Sequence, residues 1–543
     1  MTEQTIPPAP QADGPGSRTP AEDAGRLDGV STGRLVLILI ALVMIAEIIP
    51  LQNLMTGVAI PKIAPSFPKA GAGITWAGTI MGVVGGATIA LVGKLGDVWG
   101  KKRVVVLATL LFLAGTLICA LTDNWALFLT GRGVCAFASG VAAVEYGLVR
   151  DLMPRRWIPI CVAVLGTGFG LAAVAGPLLV GVLTDHYSWR SIFWFMLGYG
   201  CVALLVFLVA VPESPLRVRS RLDIPGALLF GAGVGLPLIY LSEGSSWGWG
   251  TWSNLAYLIA GLVCLAAFLV WETRTEQPMM ELRLLRAPKV LFLMLISLLA
   301  TGVFSVISIV VPYMFQTPKA AVLNSQLLAG VAAEAHTTVA NVAPAVHFQG
   351  DISYAAGFSV LQLAVHVLIW TSVFGMLFAP IGGYLTRRIG TRLPLIIGLV
   401  AFVIASALWV EWHQTWQQQI SIGVAFGLAF GFFFASAPNL LMDTVPAERQ
   451  GVSSGMFFVF GSIGTAITTA LFTAIAAAHP YQMVITQPTG GTITKDIPQV
   501  YDDSAYSLVY LLLGVVPAAI ALVLALALRT GRTPARGGTG IEH

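Results

Sequence analysis

Three ionisable residues, Glu47, Arg132 and Glu145, stand inside long apolar runs of a chain that is only 10% charged. An ionised side chain at the centre of a bilayer costs about 2.5–3.5 kcal/mol on insertion scales, so such residues are read first as functional. A carboxyl group in that setting can trade a proton. Burial favours its neutral form, a nearby cation favours the anion, and a change of surroundings moves it from one to the other. Glu47 and Glu145 are therefore the candidates for proton exchange, and a lipophilic cation could compete with the proton at either. Each could instead anchor helices through hydrogen bonds. Arg132 is expected to organise the site electrostatically rather than to touch a substrate. Gln52 and Asn53 add polar groups to the run that carries Glu47. Arg132 and Glu145 share one run and would lie about 20 Å apart on a straight helix, too far to pair. His366, in another apolar run, could relay a proton near neutral pH, or could be a packed polar residue.

Other chemistries lack their residues. No G-x-x-x-x-G-K-[ST] loop is present, so ATP drive is not expected. No nucleophile–base or metal constellation occurs, so neither catalysis nor a cofactor is expected. The five cysteines are odd in number, lie in apolar runs and form no Cys-x-x-Cys pair, which reads as packing. His336 and His347 are eleven residues apart, a spacing that suits no simple metal pair on a helix. An ion gradient, with protons as the coupling ion, remains as the energy source.

The elements that hold these residues must be membrane helices. The 543 residues are 56% hydrophobic with a mean hydropathy of +0.82, whereas a soluble domain is roughly 25% charged. Runs of roughly 20 apolar residues give fourteen candidate spans, at about 34–60, 73–95, 102–122, 124–150, 157–183, 190–212, 224–242, 253–271, 289–315, 358–386, 392–411, 416–443, 450–478 and 506–529. With the N-terminus in the cytosol, the inner segments collect most of the Lys and Arg, including Lys94, Lys101, Lys102, Arg103, Arg150, Arg155, Arg156, Arg217, Arg219, Arg221, Arg387, Arg388 and Arg449. The outer segments keep only Lys62, Lys69, Arg190, Lys319 and Lys495. That asymmetry puts both termini in the cytosol. A plasma-membrane protein, working as a monomer, is expected, with the lipid bilayer, a small-molecule substrate and protons as its partners. No basic cluster marks a nucleic-acid face.

The expected layout begins with a disordered cytosolic tail, 1–33, which has no signal-peptide pattern. Six spans follow over 34–212, then two extra helices with cytosolic linkers over 213–288. Six more spans occupy 289–529, with an outer insertion at 316–357, and a second cytosolic tail covers 530–543. The tryptophans at 247, 249 and 252 suit an interfacial belt.

One charged knot, GKLGDVWGKKR at 93–103, joins the second and third spans. Gly93, Gly96 and Gly100 allow a tight turn and close helix approach. Lys101 and Lys102 satisfy the inward charge bias. Asp97 does not, and its position suggests a latch in which the acid meets a cation or a helix N-terminus. An echo, GYLTRRIGTR at 383–392, stands at the equivalent place in the second half with Arg387 in place of Asp97. Duplicated halves are common in transporters.

The knot resembles the loop signature G-x-L-a-D-r-x-G-r-K of the major facilitator superfamily, through Leu95, Asp97, Gly100 and Lys102; Val98 stands where an arginine is usual. FLTGRGVCAFASG resembles the family's fourth-helix motif, with Arg132 as its buried arginine but Cys135-Ala136 where Gln-Gly is usual. Gly176-Pro177 resembles the antiporter motif of the fifth helix, where a proline would bend the helix and shape the outer seal. DHYSWRSIF (185–193), LDIPGALL (222–229) and PMMELRLLR (278–286) resemble elements of the fourteen-span drug:proton antiporter branch. In LQNLMTGVAIP (51–61), Gln52 takes the place of that branch's first-helix acid.

The resemblance implies an all-α membrane fold of two pseudo-symmetric six-helix bundles plus two extra central helices, fourteen in all, with the first and fourth helices lining a central cavity. It implies proton-coupled efflux of small amphipathic or hydrophobic compounds, of multidrug type, by alternating access. Export of one dedicated natural product, lipid or metabolite is the alternative, and a non-transporting receptor or scaffold is a more distant one.

Overall fold

The computed structural model describes residues 27–154, 157–215, 223–275, 282–445, 450–487 and 491–528. Residues 1–26 of the first expected tail, the tail 530–543, and Arg155, Arg156, Arg217, Arg219, Arg221 and Arg449 lie outside them.

The apolar runs fold into helices because a helix satisfies its own backbone, which lipid cannot do. The first half contains α1 (Thr32–Ala46), α2 (Ile48–Ile63), α3 (Trp76–Trp99), α4 (Lys101–Leu121), α5 (Trp125–Ala136), α6 (Val141–Leu152), α7 (Ile158–His186) and α8 (Ser191–Ala210). The intervening pair is α9 (Ile224–Trp247) and α10 (Trp252–Arg274). The second half contains α11 (Pro288–Gln316), α12 (Ala320–Glu334), α13 (Val339–Val342), α14 (Val360–Leu363), α15 (Ile369–Ile389), α16 (Arg392–Glu411), α17 (Trp416–Thr444), α18 (Gln450–Ala478), α19 (Asp503–Val509) and α20 (Val516–Ala527).

Among the described residues, twelve stretches are long and apolar enough to cross a membrane, and Gly73–Gly86 with Leu91–Trp99, bent by 48°, makes a thirteenth. Helix α7 stands where the remaining expected span, the fifth, was placed. It runs on through Pro177 instead of breaking there. Gly176 packs against α2, where a Cβ would make ordinary contact with Leu54 at 3.4 Å and Leu51 at 3.5 Å.

Two spans change their helical geometry near their functional candidates without losing continuity. The first changes from α1 to α2 at Glu47. The fourth is not one straight helix, as its sequence suggested; a tighter turn, Phe137–Gly140, separates α5 from α6. Small residues set the local packing. A Cβ on Gly131 would strike Cys119 Sγ at 2.8 Å and the Gly115 carbonyl at 2.9 Å, so α4 and α5 lie nearly backbone to backbone.

Helices α9 and α10 pack on each other, and α9 also lies against α3 and α18, so the extra pair spans the two halves along one side. Lys94 on α3 faces the carboxylates of Asp223 and Glu272 at the same end of that pair, and Trp271 Nε1 donates to Asp223 at 2.8 Å.

The insertion is ordered. Strand β1 (Val346–Gln349) pairs antiparallel with β2 (Pro480–Thr486), which pairs with β3 (Thr492–Tyr501), so the two long loops form one three-stranded cap. Tyrosines hold the cap to the helices: Tyr354 donates to the Tyr501 carbonyl at 2.6 Å and packs edge-on against Tyr506 at 4.8 Å.

The echo holds at the backbone. Gly100, between α3 and α4, has φ 111°, and Gly390, between α15 and α16, has φ 86°. Both are values that residues with a Cβ rarely adopt.

Candidate functional site

Helices α2, α3, α4 and α5 meet around Arg132, which is 1% exposed. Its Nε donates to the Ala77 carbonyl at 2.8 Å, Nη1 to Gln52 Oε1 at 3.1 Å and Nη2 to Asn53 Oδ1 at 3.3 Å. Each of these acceptors is neutral. Gln52, fully buried, passes the contact on, its Nε2 donating to Thr116 Oγ1 at 3.1 Å and lying 3.9 Å from Cys135 Sγ. Asn53, one residue further, is exposed. The sequence had put Glu47, Glu145, Arg132, Gln52 and Asn53 in one site, and the structure places Arg132 in direct contact with Gln52 and Asn53. It did not point to Thr116 or to the Ala77 carbonyl. A threonine in an apolar helix carries no distinguishing sequence signal, and a backbone oxygen carries none at all.

Glu47 and Glu145 form a second group. They are 5% and 1% exposed, so neither faces lipid. Glu145 is near enough to Glu47 to feel its charge, and Tyr199 on α8 faces both. Helices α1, α2, α6, α7 and α8 contribute to the surroundings of these side chains. Tyr199 donates to the Met44 carbonyl at 2.9 Å, and the Glu47 carboxylate takes a backbone hydrogen bond at Ala172 of α7. One oxygen on each acid, Glu47 Oε2 and Glu145 Oε1, is buried with no hydrogen-bond partner. A buried acceptor without a donor is costly when ionised. Two buried carboxyl groups within electrostatic reach disfavour charge on each other.

In the knot, Asp97 meets a cation, Lys101, at 3.4 Å within its own segment. Lys101 is 9% exposed and its Nζ binds Asp151 at the end of α6 at 2.6 Å, with Asp97 at 3.4 Å. Ser214 donates to the same Asp151 oxygen at 2.5 Å. Glu213 Oε1 accepts from the Lys102 backbone at 3.0 Å, and Lys102 Nζ reaches the Leu208 carbonyl at 2.9 Å. Among the described residues, the partners of Asp97, Lys101 and Lys102 thus belong to the first half, where they staple α3, α4, α6 and α8 together. Gly93 lies by Ala143 and Gly96 against Val144, which brings α3 onto α6.

Among the described residues, hydrogen bonds between the halves lie at the opposite face. Asp185, at the end of α7, accepts from the backbone of Val360 at 3.3 Å and Leu361 at 2.9 Å. Gln316 Nε2 on α11 donates to the Val58 carbonyl on α2 at 2.9 Å. Thr75 and Thr473 share a hydrogen bond of 2.7 Å. Sequence reasoning noted DHYSWRSIF without seeing that its first residue caps a helix of the other half. His366 sits in the short π-helical turn Ala364–Leu368 near that face. Its Nδ1 is 2.8 Å from the Gln362 carbonyl, and its ring packs near Phe358 and Trp416.

This arrangement can be set beside known proteins. A family model described as Major Facilitator Superfamily matches residues 36–335 and again 335–543. The chain belongs to the Major Facilitator Superfamily. Among its facilitator relatives, the multidrug resistance protein Stp of Mycobacterium tuberculosis is 27% identical over 435 residues, 79% of this chain and 73% of Stp. The efflux pump dotC of Dothistroma septosporum is 27% identical over 318 residues, 57% of this chain and 54% of dotC. A crystal structure of the peptide transporter POT superposes with a TM-score of 0.59 over 93% of this chain and 96% of that one, at 15% identity, a likeness of fold alone. As a facilitator, the chain is a multi-pass membrane transporter, and its two family matches agree with the doubled architecture.

Proposed function

We propose that this facilitator exports small amphipathic or hydrophobic compounds in exchange for protons. It works by alternating access in the plasma membrane, with both termini in the cytosol and the three-stranded cap outside. The observation that carries the proposal is the Glu47–Glu145 pair: two buried acids within electrostatic reach inside the first half, each with an unpartnered oxygen. A site of this kind holds a proton when closed and releases it when water or a cationic substrate arrives. The similarity to Stp and dotC supports efflux of drug-like compounds.

The contacts of Asp185, Gln316 and Thr75 hold the two halves together at the face that bears the cap, as an exporter closed to the outside would require. The ordered cap gives some weight to the second reading, a dedicated exporter, because an element built over the outer face can restrict what leaves.

Transport into sealed inverted vesicles, with and without a pH gradient, tests the proposal. Cationic dyes and the host's secreted metabolites are the probes. Gradient-driven accumulation of several unlike dyes supports multidrug exchange. Accumulation of one metabolite alone supports the dedicated exporter. Absence of gradient-driven movement for every probe overturns both.

A further inference from the structure

Arg132 is buried, yet the three groups it binds, the Ala77 carbonyl, Gln52 Oε1 and Asn53 Oδ1, carry no charge. A buried cation without a counter-charge is unfavourable. The titratable groups that face it are two thiols: Cys135, three residues along α5 and so on the same face, and Cys119 on α4. Both are fully buried.

Cys135 is furnished for either protonation state. As a thiol it can donate to the Phe112 carbonyl, 3.5 Å from Sγ. As a thiolate it can accept from Thr116 Oγ1 at 3.5 Å and from Gln52 Nε2 at 3.9 Å. Cys119 lacks that second set. Its Sγ donates to the Phe128 carbonyl at 3.5 Å, and its other neighbour is Cys135. Around Cys135, the charged or titratable groups are thus Arg132 on its own helix and Cys119 on α4, while α2 and α3 contribute the neutral Gln52 and Ala77. The two departures from the family pattern, Gln52 in place of an acid and Cys135 in place of an amide, touch each other. Acid and amide have in effect exchanged helices.

We propose that Cys135 is a proton-carrying residue of the exchange cycle, the thiolate that balances Arg132 when the Arg132 site has lost its proton. In the step, the Cys135 S–H bond breaks, the proton passes to water in the open cavity, and the electron pair stays on sulfur beside the guanidinium. Reprotonation from the other side restores the thiol and its bond to Phe112. No oxidant is needed. The inference rests on the proton-exchange reading, but half of its test does not.

The first arm follows the ultraviolet absorbance of thiolate against pH in detergent-purified protein, as the difference between wild type and Cys135→Ser. Expected is one thiolate that appears as pH rises through the neutral range and is lost in Arg132→Gln. No difference band at or below the pH at which a free cysteine ionises, about 8.5, overturns the proposal. The second arm measures ethidium-driven proton release across pH. Cys135→Ser and Cys135→Ala should lose the pH dependence, and adding Gln52→Asp to Cys135→Ser should restore it, which a merely structural cysteine would not allow. A wild-type pH profile in Cys135→Ser overturns the proposal. Should wild type itself release no protons with ethidium, the export reading fails, and the absorbance arm still decides whether Cys135 ionises beside Arg132.

Discussion

The carboxylate of Asp185, at the end of α7, receives the backbone N–H of Leu361 at 2.9 Å, so the first half of the protein caps a helix of the second half. Val360 adds a second bond at 3.3 Å. Residue 185 lies just beyond the expected fifth span. Partial burial alone would raise its pKa. Hydrogen bonds from Ser359, Leu361 and Val360 and the charge of Lys62 outweigh that and hold it below the usual carboxylate value. The sign follows. A depressed acid supports the closed seal at every pH above its ordinary value, near 3.8, and that support fades as pH falls through the depressed value. Neutral pH leaves the seal intact, so it is opened by movement rather than by titration of Asp185.

Replacing Asp185 by Asn should therefore loosen the outer seal at neutral pH. Hydrogen bonds to a charged group contribute about 1.5–3 kcal/mol, enough to change the ratio of closed to open forms by about tenfold or more. Spin-label distances between the outer ends of α7 and α15 should show a larger outward-open fraction in Asp185→Asn. Unchanged distance distributions would mean the contact is incidental.

Lys101→Met should destabilise the first half. It leaves Asp151 nearly buried with Ser214 as its remaining close donor. Breaking a buried ion pair costs about 3–5 kcal/mol, and this one lies at a helix end near water, so about 3 kcal/mol is expected. Thermal unfolding in detergent should show a lower Tm, with a smaller loss in the double variant Lys101→Met, Asp151→Leu.

Gly100→Ala should fail on two grounds. Its φ of 111° is strained for any residue with a Cβ, and that Cβ would meet the Glu213 carboxylate at 3.1 Å. Strained backbone of this kind costs about 1–3 kcal/mol. Gly390→Ala, at φ 86°, should lower Tm in the same direction. Gly383→Ala has open space around its Cβ and serves as the control.

Gln52→Leu removes an acceptor from Arg132 and a donor from Thr116 in a fully buried setting. An unsatisfied buried group costs about 1–3 kcal/mol, more when charged. Lower Tm is expected, with recovery in Gln52→Glu, which restores an acceptor to Arg132. No recovery would show that the amide's bond to Thr116 matters more than its bond to the guanidinium.

Much of this was legible in the sequence because lipid imposes severe rules. Apolar length gave the spans, and the glycine positions in both loops coincide with positive φ at Gly100 and Gly390. The contact of Arg132 with Gln52 and Asn53 was foreshadowed by three polar side chains in apolar runs. What stayed hidden depends on pairings between distant segments. Asp97 reads as an acid that meets a cation, and Lys101, four residues on, is one, but the sequence does not show that Lys101 also reaches Asp151. Asp185 stood out only as the first residue of DHYSWRSIF, and nothing in one dimension shows Leu361 beside it. The nearness of Glu47 and Glu145 joins segments almost a hundred residues apart, which nothing in one dimension shows. The insertion's strands were missed because β1 and β2 are more than a hundred residues apart in sequence.

The central claim is that the buried acids exchange protons with substrate. Its most direct test is substrate-induced proton release in weakly buffered, purified protein, comparing wild type, Glu47→Gln and Glu145→Gln after each is shown to be folded. At least one replacement should abolish release. Release at the wild-type level in both would contradict the account.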